Sequence, residues 1–149
     1  MKINTESPQQ ADIIALLEQL DAYFADLYPA ESNHLMDIAS LMGPEVVFLA
    51  ARDEADGLLG CAAFVDRGDY AEVKRMVVTP ASRGLGVGGQ LLAQIVARAR
   101  AAGFTSLKLE TGISQPEAIG LYERDGFTYR PPFGDYVLDP LSLYMEKAL

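Results

Sequence analysis

The sequence is short of several things, and each shortage narrows what the chain can be. It holds one cysteine, Cys61, so no internal disulfide can form, and a reducing cytoplasm is the expected compartment. It has no apolar run of the 18 or more residues that a membrane span needs, so no membrane partner is expected. Its first residues, Met1-Lys2-Ile3-Asn4-Thr5-Glu6-Ser7, lack the basic-then-apolar pattern of a secretion signal. Basic residues are few: 12 Lys and Arg stand against 21 Asp and Glu, for a net charge of −9. A negative body repels a phosphate backbone, so general nucleic-acid binding is not expected. An anionic cofactor could bind only at a local device of backbone N–H groups and one or two Arg. There is no internal repeat and no linker, and 149 residues suit one domain over 1–149. Hydrophobic residues at 50% and charged residues at 22% exclude a disordered chain.

What is present follows a clear order. Ser7-Pro8 reads as N-cap and first helical residue. Ile13, Leu16, Leu17, Leu20, Phe24 and Leu27 then form one apolar stripe, which predicts a helix from about Pro8 to Asp26, ended by Tyr28-Pro29. Ser32 or Asn33 caps a predicted second helix, His34 to Met42. A short first strand is assigned to Lys2 to Asn4. Val46 to Ala50, Leu58 to Val65 and Tyr70 to Val78 read as strands, the first two joined by the hairpin turn Asp53-Glu54-Ala55-Asp56-Gly57. A helix carrying Leu91, Leu92, Ile95, Val96 and Ala99 ends at Gly103. A strand follows from Phe104 to Glu110. Ser114 or Gln115 caps the next helix, which holds Pro116 and Glu117 in its first turn and stops at Gly126. Phe127 to Arg130 and Leu141 to Lys147 are the last strands, around a loop from Pro131 to Pro140. Hairpins first and strand–helix alternation afterwards predict an α+β domain with a mixed sheet.

Arg83-Gly84-Leu85-Gly86-Val87-Gly88-Gly89 lies between a strand and a helix. Six backbone N–H groups from Gly84 to Gly89 can point into one concavity, and the helix adds its positive N-terminal end. The implied ligand is an anion, with phosphates first in mind. Gly84-x-Gly86-x-x-Gly89 also matches the dinucleotide fingerprint, and Glu110 ends the next strand 21 residues after Gly89. That reading is disfavoured: Thr79 to Arg83 separate the strand from the first glycine, and 39 residues after Glu110 are too few for the βα units the fold requires. A Walker A loop fails because Gln90 and Leu91 follow Gly89.

The stretch Val73 to Gly89 resembles the acetyl-CoA-binding motif of the GNAT superfamily of N-acetyltransferases, Arg/Gln-x-x-Gly-x-Gly/Ala, matched by Arg83, Gly86 and Gly88. A second block, Leu109-Glu110-Thr111 through Gln115-x-x-Ala118-Ile119-x-Leu121-Tyr122-Glu123-x-x-Gly126-Phe127, looks like a later motif of the same superfamily. Together they cover roughly residues 70 to 130. The resemblance implies an α/β/α three-layer fold, mainly antiparallel, with a splay between its fourth and fifth strands. It implies an acetyl-CoA-dependent N-acetyltransferase that needs no metal and works by direct attack of an amine in a ternary complex. A small polar amine is the preferred acceptor. A protein amine or a non-catalytic acyl-CoA-sensing role is the alternative, and a homodimer is compatible with the fold.

Residue by residue, the resemblance implies that backbone groups of Met76, Val77 and Val78 pair with pantetheine amides, one N–H polarising the thioester carbonyl. The N–H groups of Arg83, Gly84, Leu85, Gly86, Val87, Gly88 and Gly89 hold the pyrophosphate. Gln115 stands near the pantetheine, where many relatives have the shorter Asn. Tyr122 matches the tyrosine that protonates the departing thiolate; the alternative is a helix residue packed on the sheet. Glu110, which ends a strand beside the splay, is the first candidate for the base that takes the amine proton. Glu72 is the second, and alternation along the strand puts Glu72, Lys74, Met76 and Val78 on one face. Glu72 can equally anchor a cationic amine or form an ion pair with Lys74 or Arg75. His34 opens the second helix on the wall of the acceptor site, where a surface or capping role is favoured over catalysis. Cys61 reads as a small core residue. Phe133 and Asp135 lie in the aromatic, acidic loop before the last strand, a natural place for specificity. Glu31, Asp37, Asp135 and Asp139 either draw a cationic amine together or belong to a generally acidic surface.

Overall fold

Residues whose spacing puts apolar side chains on one stripe or on alternate positions fold into the helices and strands expected of them. The structure, a computed structural model, describes residues 1–149. The strands are β1 (Lys2–Thr5), β2 (Val46–Arg52), β3 (Leu58–Asp66), β4 (Ala71–Val78), β5 (Ser106–Gly112), β6 (Thr128–Arg130) and β7 (Ser142–Ala148). The helices are α1 (Ala11–Leu27), α2 (Ile38–Leu41), α3 (Val87–Ala101) and α4 (Pro116–Arg124). All seven strands join one sheet in the order β1-β2-β3-β4-β5-β7-β6. Every pairing is antiparallel except β4 with β5, so the mixed, mainly antiparallel α+β sheet is as expected.

Each face of the sheet has its own core. On one face Leu49, Ala62, Phe64, Val73, Leu107, Leu109 and Met145 pack against Leu91, Leu92, Ile95 and Ala99 of α3 and against Tyr122 of α4. On the other, Phe48, Ala50, Cys61 and Ala63 pack against Ile13, Leu16 and Leu17 of α1 and Leu41 of α2. Fully buried leucines such as Leu17, Leu91 and Leu92 each contribute about 1.5–3 kcal/mol, so these stripes hold the helices on the sheet. No helix is long and apolar enough to cross a membrane.

Two expected helix starts move, each for a tertiary reason. α1 begins at Ala11 with Gln10 at its N-cap, and Ser7-Pro8 is not its cap. The residues before it are held by Arg52, a buried arginine that donates to Glu6 (3.0 Å), Gln10 (3.3 Å) and Asp12 (2.6 Å). Those hydrogen bonds hold both carboxyls below their ordinary range. The second helix is confined to α2, whose cap is Asp37: its Oδ1 accepts from the Ser40 N–H at 2.7 Å. Ser32 closes a single 3-10 turn, and Asn33 and His34 lie outside any helix. The reason is visible in Lys74, which donates to the His34 carbonyl at 2.9 Å and holds that segment on the sheet.

Candidate active site

The site is built where β4 and β5 part. They pair at Ala71↔Leu107 and Glu72↔Lys108 and nowhere further, so from Val73 onward the edge of β4 facing β5 has no strand partner. β4 is also bulged. Its register with β3 slips between Cys61↔Val77 and Ala63↔Lys74, and Arg75 takes a left-handed φ of 57°. That conformation costs a non-glycine residue about 1–2 kcal/mol. Arg75 is buried there and its guanidinium is gripped by Asp21 of α1, with contacts of 2.5 and 3.2 Å.

The bulge corrects the alternation expected along the strand. Glu72 and Lys74 face the α1 side, while Met76 and Val78 pack on the α3 side and Val77 takes their place toward α1. An extra residue in one strand of a pair shifts the phase of every side chain beyond it. Met76, Val77 and Val78 thus lie along the open edge with side chains on both faces. Cys61 lies against the same bulge, its thiol donating to the Arg75 carbonyl at 3.6 Å, and burial pushes the thiol pKa up to about 12.

The glycine loop closes one end of the splay. Gly84 and Gly86 have φ of 77° and 80°, a region L side chains rarely adopt, and a Cβ added at Gly84, Gly86 or Gly89 would meet nothing within 4 Å. Gly86 is the N-cap of α3 and no side chain caps that helix. The N–H groups of Gly84, Gly86, Val87, Gly88 and Gly89 have no acceptor within the protein. The Arg83 and Leu85 N–H groups differ: they donate to Pro80 O at 3.5 Å and Ser82 O at 3.3 Å, so they are not part of the open set. Arg83 is exposed beside them and makes no ion pair. The loop therefore offers free N–H donors at a helix N-terminus, with the exposed Arg83 at its start, the electrostatics an anion needs.

Glu110 and Tyr122 meet in one cleft, which Lys74, Arg75, Met76 and Gln115 also line. Glu110 projects from β5 on the α1 side, and no group donates a hydrogen bond of good geometry to it. Burial raises its pKa; the nearby Ser142 hydroxyl, His34 and Lys74 pull the other way. Tyr122 comes from α4. Its ring packs edge-on against Phe127 at 5.7 Å and belongs to the core, while its hydroxyl has no hydrogen-bond partner. Burial, and then the charge of Glu110, raise its pKa well above that of a free phenol. The ring of Tyr122 packs as a helix residue on the sheet, and its hydroxyl lines the cleft.

Glu72 is different. It is 2% exposed, accepts from Tyr136 Oη at 2.6 Å and Arg67 Nε at 3.0 Å, and lies 3.7 Å from Lys74 Nζ. Arg67 and Lys74 are both ion-pair partners, Arg67 the nearer; Arg75 is not, because Asp21 holds it. Lys74 donates in turn to the Tyr136 hydroxyl at 2.8 Å. Burial lowers the Lys74 pKa, with Glu72 and Glu110 opposing. The ring of His34 stands edge-on to Tyr136 at 5.1 Å, so His34 is part of the cleft wall. The residues that the sequence reading passed over are Lys74 as a hub, Tyr136 and Arg67. The only signal for them was a lysine alternating with Glu72 and a tyrosine in the aromatic loop.

The other candidates are spread out. Gln115 accepts from the Gly112 N–H (3.0 Å) and from the Tyr28 hydroxyl (3.4 Å), which leaves its NH₂ free; Gly112 admits no Cβ because Tyr28 Oη occupies that place. Phe133 is buried among Tyr70, Tyr136 and Tyr144 and lines neither cavity. Asp135 lines a second cavity of about 300 Å³ with Arg67, Tyr70 and Glu72, beside the first and sharing His34 with it. Glu31 is exposed outside both. Asp37 caps α2, and Asp139 is occupied by Ser32 Oγ (2.7 Å) and the Leu141 N–H (2.8 Å).

Known proteins match this architecture. The family model of the acetyltransferase (GNAT) family matches residues 13–127. The chain belongs to the GNAT family. It is thereby an enzyme of the N-acetyltransferase class, with acetyl-CoA as donor. It is 50% identical to a protein of Azospirillum brasilense named IAA acetyltransferase, over 99% of this chain and 97% of that one. It is 34% identical, over the full length of both, to the uncharacterised N-acetyltransferase YsnE of Bacillus subtilis. Among solved structures, one from Klebsiella pneumoniae, described as a proposed acyl-CoA N-acyltransferase, superposes with a TM-score of 0.84 at 39% identity, over 99% of this chain and 97% of that one. The residues present fit the donor. The open edge of β4 offers unpaired backbone groups, and the glycine loop offers free N–H donors in a space that side chains would fill.

Proposed function

We propose that this GNAT enzyme acetylates a primary amine of a small polar molecule by direct attack in a ternary complex. One observation carries the reading: a largely buried carboxylate with no ion-pair partner, Glu110, and a hydroxyl with no hydrogen bond, Tyr122, share the cleft that the splay opens. A protein that only binds or senses acyl-CoA has no use for either group held unpaired in a buried place.

The roles follow from chemistry. Acetyl-CoA supplies a thioester as an activated acetyl group. The Met76–Val78 edge of β4 binds the pantetheine arm, and one of its N–H groups is a fixed donor for the thioester carbonyl. The loop from Arg83 to Gly89 holds the pyrophosphate, and the free NH₂ of Gln115 lies on the pantetheine side. Glu110 takes a proton from the amine; its raised pKa brings it closer to the working pH of a base. Tyr122 keeps its proton at neutral pH and gives it to the departing thiolate, an anion that the same buried surroundings disfavour. Glu72 anchors the acceptor side through Tyr136, Arg67 and Lys74.

The preference for a small acceptor rests on the loop from Pro131 to Pro140. Tyr136 fastens it to Glu72, Asp139 fastens it to Ser32, and its residues 134–137 line the second cavity beside the cleft. The relative named IAA acetyltransferase supports acetyl as the group transferred. The test is an acceptor screen with acetyl-CoA, reading thiol release. Small amines should give turnover and basic peptides should not. Turnover with basic peptides alone would make a protein the acceptor, and tight CoA binding without turnover on any amine would favour a sensing role.

A further inference from the structure

Ser142 is the first residue of β7, and its hydroxyl is sealed from solvent with no hydrogen bond of good geometry; the Glu110 carboxyl and the Tyr144 hydroxyl are the polar side chains within its reach. Protein interiors rarely leave such a group unpaired, because an unmade hydrogen bond in a dry place is costly. Its backbone is fixed: the Ser142 N–H donates to Asp139 O at 3.1 Å, and the register pairs Ser142 with Gly112 and Tyr144 with Glu110. Residues two apart on a strand share a face, so Ser142 and Glu110 are diagonal neighbours on the α1 side of the sheet. Gly112, opposite Ser142, has no side chain to stand between them.

The other ionisable groups around Glu110 are Lys74 and Glu72 from β4, His34 from the segment before α2, Tyr122 from α4, Tyr136 from the loop over the sheet and Tyr144 from β7. None of them donates a hydrogen bond to the carboxylate. Lys74 is spent on His34 O and Tyr136, Tyr136 donates to Glu72, and Tyr144 donates to Val137 O.

We infer that Ser142 is a positioning residue for the base: its hydroxyl turns to donate to the Glu110 carboxylate and aims it into the cleft. A donor to the charged form favours that form. The serine thus opposes the effect of burial and keeps Glu110 able to accept a proton at neutral pH. When Glu110 holds the proton, the same hydroxyl can turn and accept. This rests on the reading of Glu110 as the base, and the experiment separates the two.

The carboxyl carbon of Glu110, assigned by its absence in E110Q, is titrated by NMR in the wild type, S142A and S142T. In parallel, kcat/KM is followed against pH with an acceptor from the screen. Loss of the donor should raise the Glu110 midpoint by about 0.5–1 pH unit in S142A, and S142T should restore it. The acidic limb of kcat/KM should move up with it. An unchanged midpoint in a folded S142A overturns the inference. A midpoint that moves while the acidic limb does not upholds the hydrogen bond and overturns Glu110 as the base. If S142A does not fold, S142C makes the same test, because a thiol is a weak donor.

Discussion

The two ends of the border between β4 and β5 make opposite use of the same materials. At the paired end, Glu72 is a buried carboxylate whose oxygens are taken by Tyr136 and Arg67, with Lys74 beside it. At the splayed end, Glu110 is a largely buried carboxylate on the same face with no hydrogen bond of good geometry. The two residues stand on neighbouring strands, and the difference lies in what the chain brings over them. The loop before β7 folds back across the paired end and brings Tyr136 onto Glu72, while Arg67 reaches it from the turn before β4. Over the splayed end α1 and the segment through His34 wall a cleft without reaching into it, and an acid with no ion pair, an unpaired hydroxyl and an unpaired strand edge are left together. A satisfied carboxylate fixes geometry, whereas an unsatisfied one is available for proton transfer.

Substitutions at the splayed end should have the largest effects. Arg83→Glu and Gly86→Asp each put a negative charge into the donor loop. Both should cost CoA affinity at least roughly 100-fold by calorimetry; Arg83→Glu should leave the fold intact, since Arg83 is exposed and unpaired, and Gly86→Asp adds backbone strain at a positive φ. Near-normal affinity in both would remove the phosphate from that loop. Tyr122→Phe keeps the ring against Phe127 and deletes only the hydroxyl, so CoA should still bind while kcat falls about 10²–10⁴-fold. An unchanged kcat, with chemistry rate-limiting, would leave Tyr122 a packing residue. At the paired end the effect should be smaller and of another kind. Glu72→Gln weakens the grip on Tyr136 and Arg67. It should raise the acceptor KM by roughly tenfold, equivalent to about 1.4 kcal/mol of uniform binding, with little change in kcat.

What could be read beforehand followed the range of the forces involved. The order of strands and helices was legible because apolar spacing is local, and the donor loop was legible because positive φ at Gly84 and Gly86 demands glycine. The bulge was not legible. No glycine or proline marks Arg75, and its left-handed backbone accompanies a grip by Asp21, 54 residues away in sequence. That one residue reversed the expected facing of Met76 and Val78. The second helix failed for a similar reason: His34 looked like a helix opening until Lys74, 40 residues on, took its carbonyl. Ser7-Pro8 carried a sound local capping signal that Arg52 overrode by drawing Glu6, Gln10 and Asp12 together. In the cleft, Glu110 and Tyr122 were visible as residues of recognisable blocks. The partners of Glu72 were not, because Tyr136 reaches it across 64 positions.

The division of labour between the two carboxylates is tested most directly by the pH dependence of kcat/KM in E110Q and E72Q, measured side by side with one acceptor. Burial raises the Glu110 pKa, so the wild-type acidic limb should lie above the ordinary carboxylate range, with activity lost as pH falls through it and Glu110 takes up its proton. E110Q should lose that limb and roughly 10²-fold or more in rate, because an amide cannot accept the amine proton, while E72Q keeps the limb, moved slightly down because the Glu72 charge no longer raises the Glu110 pKa. Full kcat and an unchanged limb in E110Q, with both lost in E72Q, would contradict that division and exchange the two roles.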